Sequence, residues 1–441
     1  MNLNIGRSLD ASEIADLLAE ARARTLMLIS RISEDDLRRQ HDSLMSPIIW
    51  DLGHIAHFEE VWLVDALVGG GGDSAGLRGI YNPFETPRAD RGELPLPTLT
   101  ECLEFMERVR RAALSRLRSL DPASSDPLLR DSFVFRLVLQ HEYQHNETIL
   151  QTLQLKRGDP YAAMRAFPVP VKPHDPMSSD GSMVTFPGGE VTIGTDDRSA
   201  AYDNERPKHK REVAPFRIDV TPVTNAAYME FVEAGCYRDE GLWDEAGRIW
   251  LNDSGAEAPK YWERVDGVWS ARVMDRSGPV DPTQPVCHVC YHEAAAFTRF
   301  AGKRLPTEIE WEAAASWDPA AGVARAYPWG DEPVTPFVAN VDALAFQAAP
   351  VWSYTDNVSP IGCYGMIGDA WEWTASDFEG YPGYETFPYK EYSEVFFGDQ
   401  YKVLRGGSWA SRSGAIRTTF RNWDHPIRRQ IFSGFRCAAD D

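Results

Sequence analysis

The segment from Phe133 to Lys156 carries two histidines, His141 and His145, on the stripe of a predicted helix that should be buried. Residues four apart on a helix lie one turn above each other, with Cβ atoms about 5–6 Å apart. Two neutral imidazoles at this spacing can converge on one metal ion, which explains their position on a buried face. A pair of histidines with ordinary hydrogen bonds is the alternative that the spacing leaves open.

A third candidate ligand lies far upstream. Ser46 and Pro47 are typical of a helix N-cap and first turn, so His54 is predicted to lie two turns into a second helix. Two facing helices that contribute His54 and the histidine pair would form a three-histidine site with open coordination positions. Such a site is closer to that of a mononuclear iron oxygenase than to a closed structural zinc site. His57, nearly one turn further along, is the competing candidate.

The histidine pair also completes the pattern H-E-x-x-H of zinc metallopeptidases, in which the glutamate, here Glu142, is the general base. The longer metzincin form of this pattern continues with a glycine and a third histidine. This chain has Thr148 and Gln151 at those two positions. A zinc metallopeptidase is therefore an alternative hypothesis that rests on the five-residue motif alone.

The sequence pattern changes once along the 441 residues, which is enough chain for two or three domains. Residues 1–158 predict helices, 159–183 a Pro-rich linker, and 184–441 short β segments rich in Trp and Gly. The net charge of −21, with no basic cluster, makes nucleic acid and anionic membranes poor partners. There is no apolar signal core and no run of 18 apolar residues, so we expect a cytoplasmic protein.

Four amphipathic helices are predicted in the first part, which favours an antiparallel bundle with metal ligands in its core. Asp10 and Glu13 form the pattern of a capping box at the start of the first helix. The second helix is predicted to end at the glycine run Gly69–Gly72. The predicted spans of the second, third and fourth helices are 47–68, 99–120 and 133–156.

Five motifs occur in order in the second part: Gly302–Glu312, Tyr327–Gly330, Gly368–Trp373, Arg405–Trp409 and Gly434–Cys437. Together they resemble the formylglycine-generating-enzyme/sulfatase-modifying-factor fold, an irregular C-type-lectin-like α+β domain. The cysteine pair that formylglycine-generating enzymes carry after the Gly-Gly-Ser block falls on Ser411 and Ile416 here. Without those thiols, that chemistry is excluded.

A DinB-like four-helix bundle followed by this domain is similar to the ergothioneine-biosynthesis sulfoxide synthases over nearly the whole chain. The family's H-x3-H-x-E pattern is matched by His141, His145 and Glu147, and its upstream ligand block by Trp50–His54. The resemblance implies a multidomain α and α+β fold, with non-haem Fe(II) held by His54, His141 and His145. It places Glu147 outside the ligand set.

The resemblance also implies a pocket for a sulfur donor. Arg88 matches the family's arginine in the loop after the second helix, and Asp424 and Arg428 match its acidic and basic pair near the C-terminus. Two guanidinium groups and one carboxylate suit an amino acid with two carboxylates and an ammonium, such as γ-glutamylcysteine. A surface salt bridge is the alternative for each charge taken alone.

The side of the family's site that binds the trimethylated substrate resembles Gln144, Asn422 and Trp423 here, together with a Tyr-x-x-Tyr pair. That pair falls on Tyr389, the expected catalytic residue, and on Tyr392. A trimethylammonium group donates no hydrogen bond, so aromatic faces such as Trp423 and Tyr392 suit it.

The tyrosine assignment has competitors, because Tyr381 and Tyr384 have the same spacing as Tyr389 and Tyr392. The order of the residues that follow Tyr392 favours Tyr389. In the family, this hydroxyl would deliver a proton or a hydrogen atom that directs oxidation towards C–S bond formation.

The function implied by the resemblance is an O2-dependent sulfoxide synthase that joins the thiol of γ-glutamylcysteine to the imidazole of Nα-trimethylhistidine (hercynine) in ergothioneine biosynthesis. Cysteine as donor or histidine as acceptor, giving an ovothiol-type product, is an alternative within the same chemistry. A zinc metallopeptidase and a catalytically silent binding protein are the alternatives from other classes.

Overall fold

The computed structural model describes residues 8–67, 78–119, 124–156, 158–165 and 181–441. These residues form two compact units. The first unit takes the described residues up to Ala162 together with Asp197–Ala200, and the second takes the remainder up to Asp441. The predicted glycine run Gly69–Gly72 and residues 166–180 of the predicted linker lie outside the described residues.

The first unit is helical. Its α-helices are α1 (Ala11–Ile29), α2 (Glu34–Arg38), α3 (Ile48–Glu59), α4 (Arg78–Tyr81), α5 (Leu99–Leu117) and α6 (Phe133–Leu155). The four predicted helices correspond to α1, α3, α5 and α6, whereas the short α2 and α4 were not predicted. Helix α6 packs against α1 and α3, and α3 also packs against α5. None of the described helices is long and apolar enough to cross a membrane.

The predicted capping box at α1 is confirmed. The Asp10 carboxylate accepts from the backbone N–H of Glu13, and the Glu13 carboxylate accepts from that of Asp10, both at 2.9 Å. The start of α3 differs from the prediction, because its N-cap is Pro47, which makes no side-chain cap. The Ser46 hydroxyl instead accepts from Arg91 at 2.7 Å. After Glu59 the chain continues as the π-helical turn Glu60–Asp65.

A buried network of charges joins the four long helices. Arg22 of α1 donates to Glu59 of α3 at 2.8 Å and to Glu142 of α6 at 2.9 Å. Arg110 of α5 donates to the same two carboxylates, at 2.6 Å to Glu59 and 3.3 Å to Glu142. All four side chains are buried. Because an unpaired buried charge is costly, this network restricts how the four helices pack.

The second unit is irregular, as the predicted fold requires. Its α-helices are α7 (Asn225–Glu233), α8 (Glu245–Ser254), α9 (Tyr291–Phe300) and α10 (Glu308–Ser316). Its strands are β1 (Met183–Phe186), β2 (Gly189–Ile193), β3 (His209–Val213), β4 (Phe216–Asp219), β5 (Trp262–Val265), β6 (Val268–Val273), β7 (Arg276–Pro279), β8 (Trp317–Asp318), β9 (Val323–Ala324), β10 (Trp371–Phe378), β11 (Gly398–Arg405), β12 (Asn422–Asp424), β13 (Ser433–Gly434) and β14 (Ala438–Asp440).

Five small sheets organise these strands. The central one has the order β12-β11-β10-β13, in which only the β10–β13 pair is parallel. A second sheet has the order β1-β4-β14, so β14, near the end of the chain, pairs with β4. The other three sheets are β2-β3, β5-β6-β7 and β8-β9. Strand β12 lies at an edge of the central sheet, where its Trp423 contacts Phe378 and Tyr392.

Charged residues of the sequence motifs pair with buried partners. Glu372 accepts from Trp311 at 2.7 Å and from Arg436 at 2.6 and 2.8 Å, so three of the motifs meet at one carboxylate. Two further buried pairs join Glu308 to Arg421 and Glu312 to Arg405. These pairs penalise any other packing of the unit that would leave one of the buried charges without its partner.

We predict that Arg110→Met destabilises the first unit by about 3–5 kcal/mol, because it leaves the buried Glu59 and Glu142 with one guanidinium between them. Arg111→Met is the matched control, since the neighbouring Arg111 is exposed and lies 3.7 Å from the exposed Glu107. That change should cost less than about 1 kcal/mol. Urea unfolding followed by helical circular dichroism measures both, and equal losses would contradict the role of the network.

Candidate metal centre

The three predicted metal ligands lie together in the first unit. His54 comes from α3, and His141 and His145 lie one turn apart on α6. One ligand nitrogen from each residue lies within 4.8 Å of the other two, and the Nε2 atoms of His54 and His141 are 3.2 Å apart. Among the described residues, this is the group of side chains with the spacing needed for a metal ion. His57, the competing candidate, is buried on α3 and is not a member.

Each imidazole is held by a different neighbour. The Nδ1 atom of His54 lies 2.8 Å from the carbonyl oxygen of Tyr81, and its ring stacks on Trp50 at 4.7 Å. The Nδ1 atom of His145 lies 3.1 Å from a carboxylate oxygen of Asp51.

The third imidazole is held by packing. The ring of His141 stacks on Phe58 at a centroid distance of 3.7 Å and an interplanar angle of 9°. His54 and His145 have their Nδ1 atoms next to oxygen acceptors. When these Nδ1 atoms carry the protons, the lone pairs of both rings lie on Nε2.

Burial keeps two of the three imidazoles neutral. It holds the pKa of His54 well below its ordinary value of 6.5, and the neighbouring His145 lowers this pKa further. The pKa of His141 is also held well below 6.5, first by burial and then by His145 and His54. A histidine must be neutral to bind a metal, so burial prepares His54 and His141 for ligation at neutral pH. A group of three histidines with open positions fits a catalytic transition-metal site.

The glutamate of the H-E-x-x-H pattern does not serve this site. Glu142 accepts hydrogen bonds from Arg22 at 2.9 Å and from Thr25 at 2.8 Å, and Arg110 lies within 3.3 Å. Arginine charges hold its pKa below the ordinary value against the effect of burial. A metallopeptidase needs this carboxylate beside the metal-bound water, so the geometry does not support that interpretation.

The loop after α4 brings arginines near the cluster. Arg91 is buried, and its guanidinium packs over the ring of Trp50 at 3.7 Å. Burial, together with the positive charge of Arg88, lowers the pKa of Arg91 to about 10, and Asp51 opposes this decrease. Arg88 itself, the predicted donor-binding residue, is exposed in the turn Arg88–Glu93. Gln144, predicted to bind substrate, is half-buried on α6 directly before His145.

In the second unit, the predicted aromatic residues form one group. Trp423 of β12 stacks on Phe378 at 4.1 Å and meets the ring of Tyr392 edge-on at 5.6 Å. Tyr392 stacks on Tyr202 at 4.1 Å and meets Tyr389 edge-on at 6.3 Å. Tyr202 has no motif around it, so sequence reasoning missed it.

The predicted polar residues lie on the same strand or just beyond it. Asn422, Trp423 and Asp424 are the three residues of β12, and all three are half-buried. Arg428 is buried, and its Nε atom lies 3.2 Å from an oxygen of Asp424. The structure therefore brings together the acidic and basic residues that the sequence placed four apart.

The competing tyrosines are engaged elsewhere. Tyr381 is buried, donates to Glu312 at 3.3 Å, and lies under the guanidinium of Arg421 at 4.2 Å. Tyr384 donates to Asp203 at 2.8 Å. Both hydroxyl groups therefore serve the packing of the second unit.

Comparison with known proteins agrees with this architecture. The chain is 44% identical to hercynine oxygenase from Mycolicibacterium thermoresistibile, over 97% of this chain and 95% of that protein. It is 43% identical to hercynine oxygenase from Mycobacterium tuberculosis, over 97% and 99%. This chain belongs to the hercynine oxygenase family. It is therefore an enzyme, and the resemblance identified from the sequence is confirmed.

The predicted fold class is confirmed as well. Residues 17–149 of this chain match the DinB superfamily, and residues 169–441 match the sulfatase-modifying factor enzyme 1-like domain. Formylglycine-generating enzyme from Streptomyces coelicolor is 34% identical, but over only 60% of this chain and 91% of that protein. The similarity to that enzyme thus covers only part of this chain.

We predict that the metal-free protein loses stability as the pH falls below 6.5. The imidazoles of unfolded His54 and His141 take up protons near that pH, whereas the folded ones, whose pKa values are well below 6.5, do not. Each histidine then favours the unfolded state by about 1.4 kcal/mol per pH unit until its folded pKa is reached. Urea unfolding of chelator-treated protein between pH 7 and 5 measures this effect. The free energy of unfolding should fall more steeply with decreasing pH for the native sequence than for His54→Gln/His141→Gln. Parallel curves would contradict the prediction.

Proposed function

We propose that this protein is a non-haem Fe(II), O2-dependent sulfoxide synthase. It would join the thiol of γ-glutamylcysteine to the imidazole of hercynine in ergothioneine biosynthesis. The observation that carries the proposal is the convergence of His54, His141 and His145, with two imidazoles kept neutral by burial, in a chain of the hercynine oxygenase family.

The three imidazoles would hold the iron and leave three of its six positions open. The bound iron would supply the redox chemistry that activates dioxygen. The protein contributes the fixed orientation of the ligands, because Tyr81 and Asp51 hold two of the rings by their outer nitrogens. Phe58 and Trp50 cover ring faces and exclude water from that side of the cluster.

The aromatic group of Trp423, Tyr392 and Tyr202 suits the trimethylammonium of hercynine. That cation cannot donate hydrogen bonds, so it is recognised by ring faces and by shape. Phe378 stacks on Trp423 and restricts the indole to one orientation. Asn422, the residue before Trp423 on β12, is half-buried and is the amide that the resemblance assigns to this side of the site.

The pair Asp424 and Arg428 suits the amino-acid end of γ-glutamylcysteine. Arg428 is buried beside Asp424, and its planar guanidinium can donate to a substrate carboxylate. Asp424 is half-buried and can accept from the substrate ammonium. Arg88, the further donor-binding residue that the resemblance implies, is exposed in the first unit.

Tyr389 is suited to deliver a proton or a hydrogen atom. Burial, with Tyr202 and Asp203 nearby, holds its pKa well above the ordinary value of 10, so the hydroxyl stays protonated at neutral pH. The hydroxyls of Tyr381 and Tyr384 donate to Glu312 and Asp203, within the packing of the second unit. The order of the residues that follow Tyr392 favours Tyr389 as the catalytic residue.

Anaerobic reconstitution with Fe(II), followed by oxygen and mass spectrometry of the products, tests the function. We expect a C–S-linked sulfoxide from hercynine and γ-glutamylcysteine, and at least a tenfold lower kcat/KM with cysteine. His145→Ala should lose iron and product, because it removes a ligand. His57→Ala is the matched control and should retain both. Oxygen-independent peptide cleavage with zinc would overturn the proposal, and equal use of cysteine would overturn the donor assignment.

We predict that Tyr389→Phe changes the product rather than preventing substrate binding. The variant keeps the ring but loses the hydroxyl that directs oxidation to C–S bond formation. Oxygen consumption should continue, while the product shifts from the sulfoxide towards the sulfinic acid of the donor. Tyr384→Phe serves as the control, since it removes a hydroxyl that donates to Asp203. A product shift in Tyr384→Phe and none in Tyr389→Phe would show that the assignment is wrong.

A further inference from the structure

Asp51 is the carboxylate that contacts the histidine cluster. Its side chain is buried, at 1% exposed, and its Oδ1 atom lies 3.1 Å from Nδ1 of His145. A carboxylate at that position accepts a hydrogen bond only when Nδ1 carries the proton. The lone pair of His145 is then on Nε2, the nitrogen that remains for a metal.

The position of Asp51 on α3 makes this contact part of the bundle geometry. Asp51 precedes His54 by three residues, so the two side chains lie on the same face of the helix. One helix therefore supplies a ligand to the cluster and also the acceptor that holds a ligand from α6. The Oδ2 atom of Asp51 accepts no hydrogen bond from the described residues. The buried guanidinium of Arg91 provides the nearby positive charge.

The three histidines differ in what lies behind them. His54 faces a neutral backbone carbonyl, that of Tyr81, and His141 is held by its stack on Phe58. Among the described contacts of the three rings, the charged acceptor is the one behind His145. A carboxylate on the outer nitrogen fixes the tautomer and raises the basicity of the ligating nitrogen. The carboxylate contact therefore distinguishes His145 from the other two histidines.

We propose that Asp51 is a positioning residue of the metal centre, which holds His145 with Nε2 directed at the ion and increases its donor strength. This inference rests on the proposed function, because it requires that the three histidines bind a metal. It concerns a residue for which neither the motif nor the predicted ligand set gave a role. Asp51 does not itself enter the group of ligand atoms.

The tautomer of His145 tests the proposal without any metal. In chelator-treated protein labelled with ¹⁵N-histidine, long-range ¹H–¹⁵N correlation should place the His145 proton on Nδ1, with His145→Gln providing the assignment. Asp51→Ala should move this proton largely to Nε2, since the acceptor is lost. Asp51→Asn should keep it on Nδ1, because the amide oxygen can still accept. A His145 tautomer that is unchanged in folded Asp51→Ala would overturn the proposal.

Metal affinity provides the second measurement. Titration with Co(II), followed by its visible absorption, should show affinity weaker by about 10–100-fold in Asp51→Ala and by less in Asp51→Asn. Asp36→Asn is the control, because it removes a carboxylate of the same unit that pairs with Lys156. The affinity of Asp36→Asn for Co(II) should equal that of the native protein.

The possible failures are distinct. If Asp51→Ala does not fold, Asp51→Asn decides, and native affinity in that variant overturns the proposal. If the native protein binds neither Co(II) nor Fe(II), the proposed function fails. If it binds both, and folded Asp51→Ala binds them equally well, only the role of Asp51 fails.

Discussion

The charge of Glu142 has to be neutralised inside the bundle, and the arrangement of the four long helices depends on how this is done. Two arginines, Arg22 from α1 and Arg110 from α5, meet this carboxylate and that of Glu59. Successive residues of a helix point about 100° apart. With Glu142 directed at the arginines, His141 faces a different side of α6, towards α3. The network and the histidine cluster are therefore two consequences of one helix orientation.

The same constraint acts in the second unit, where regular structure is sparse. Glu308, Glu312 and Glu372 are buried, and each is matched by a buried arginine from a distant part of the chain. Such pairs add little stability compared with apolar residues of the same size, but they penalise any other packing that leaves a charge unpaired. They hold the central sheet in place, and β12 presents Trp423 and Asp424 from the edge of that sheet.

The chemistry of the histidine cluster follows from burial. An imidazole in water is partly protonated near neutral pH, and its ring turns freely. In the bundle, desolvation keeps His54 and His141 neutral, and acceptors behind the rings of His54 and His145 contact their Nδ1 atoms. In the proposed metal centre, the side chains are therefore held in place before an ion binds, so that binding would require little reorganisation.

The sequence by itself determined much of this protein. Helical spacing identified α1, α3, α5 and α6, because apolar stripes and caps are local properties. The spacing of His141 and His145, with His54 upstream, gave the candidate ligand set for the same reason, since i and i+4 positions on a helix must be neighbours. The order of the five later motifs gave the fold of the second unit, through resemblance to a known family.

Only the tertiary structure decided which side chains from distant parts of the chain contact each other. The motif H-E-x-x-H is identical in a peptidase and in this chain, and only the contacts of Glu142 with Arg22 and Arg110 distinguish them. Tyr202 and Asp51 enter the proposals because each meets a partner distant in sequence, Tyr392 for Tyr202 and His145 for Asp51. Local patterns fix which face of a helix is buried. Which charge or ring lies opposite a given side chain depends on contacts between residues far apart in the chain, and those form only when the whole unit folds.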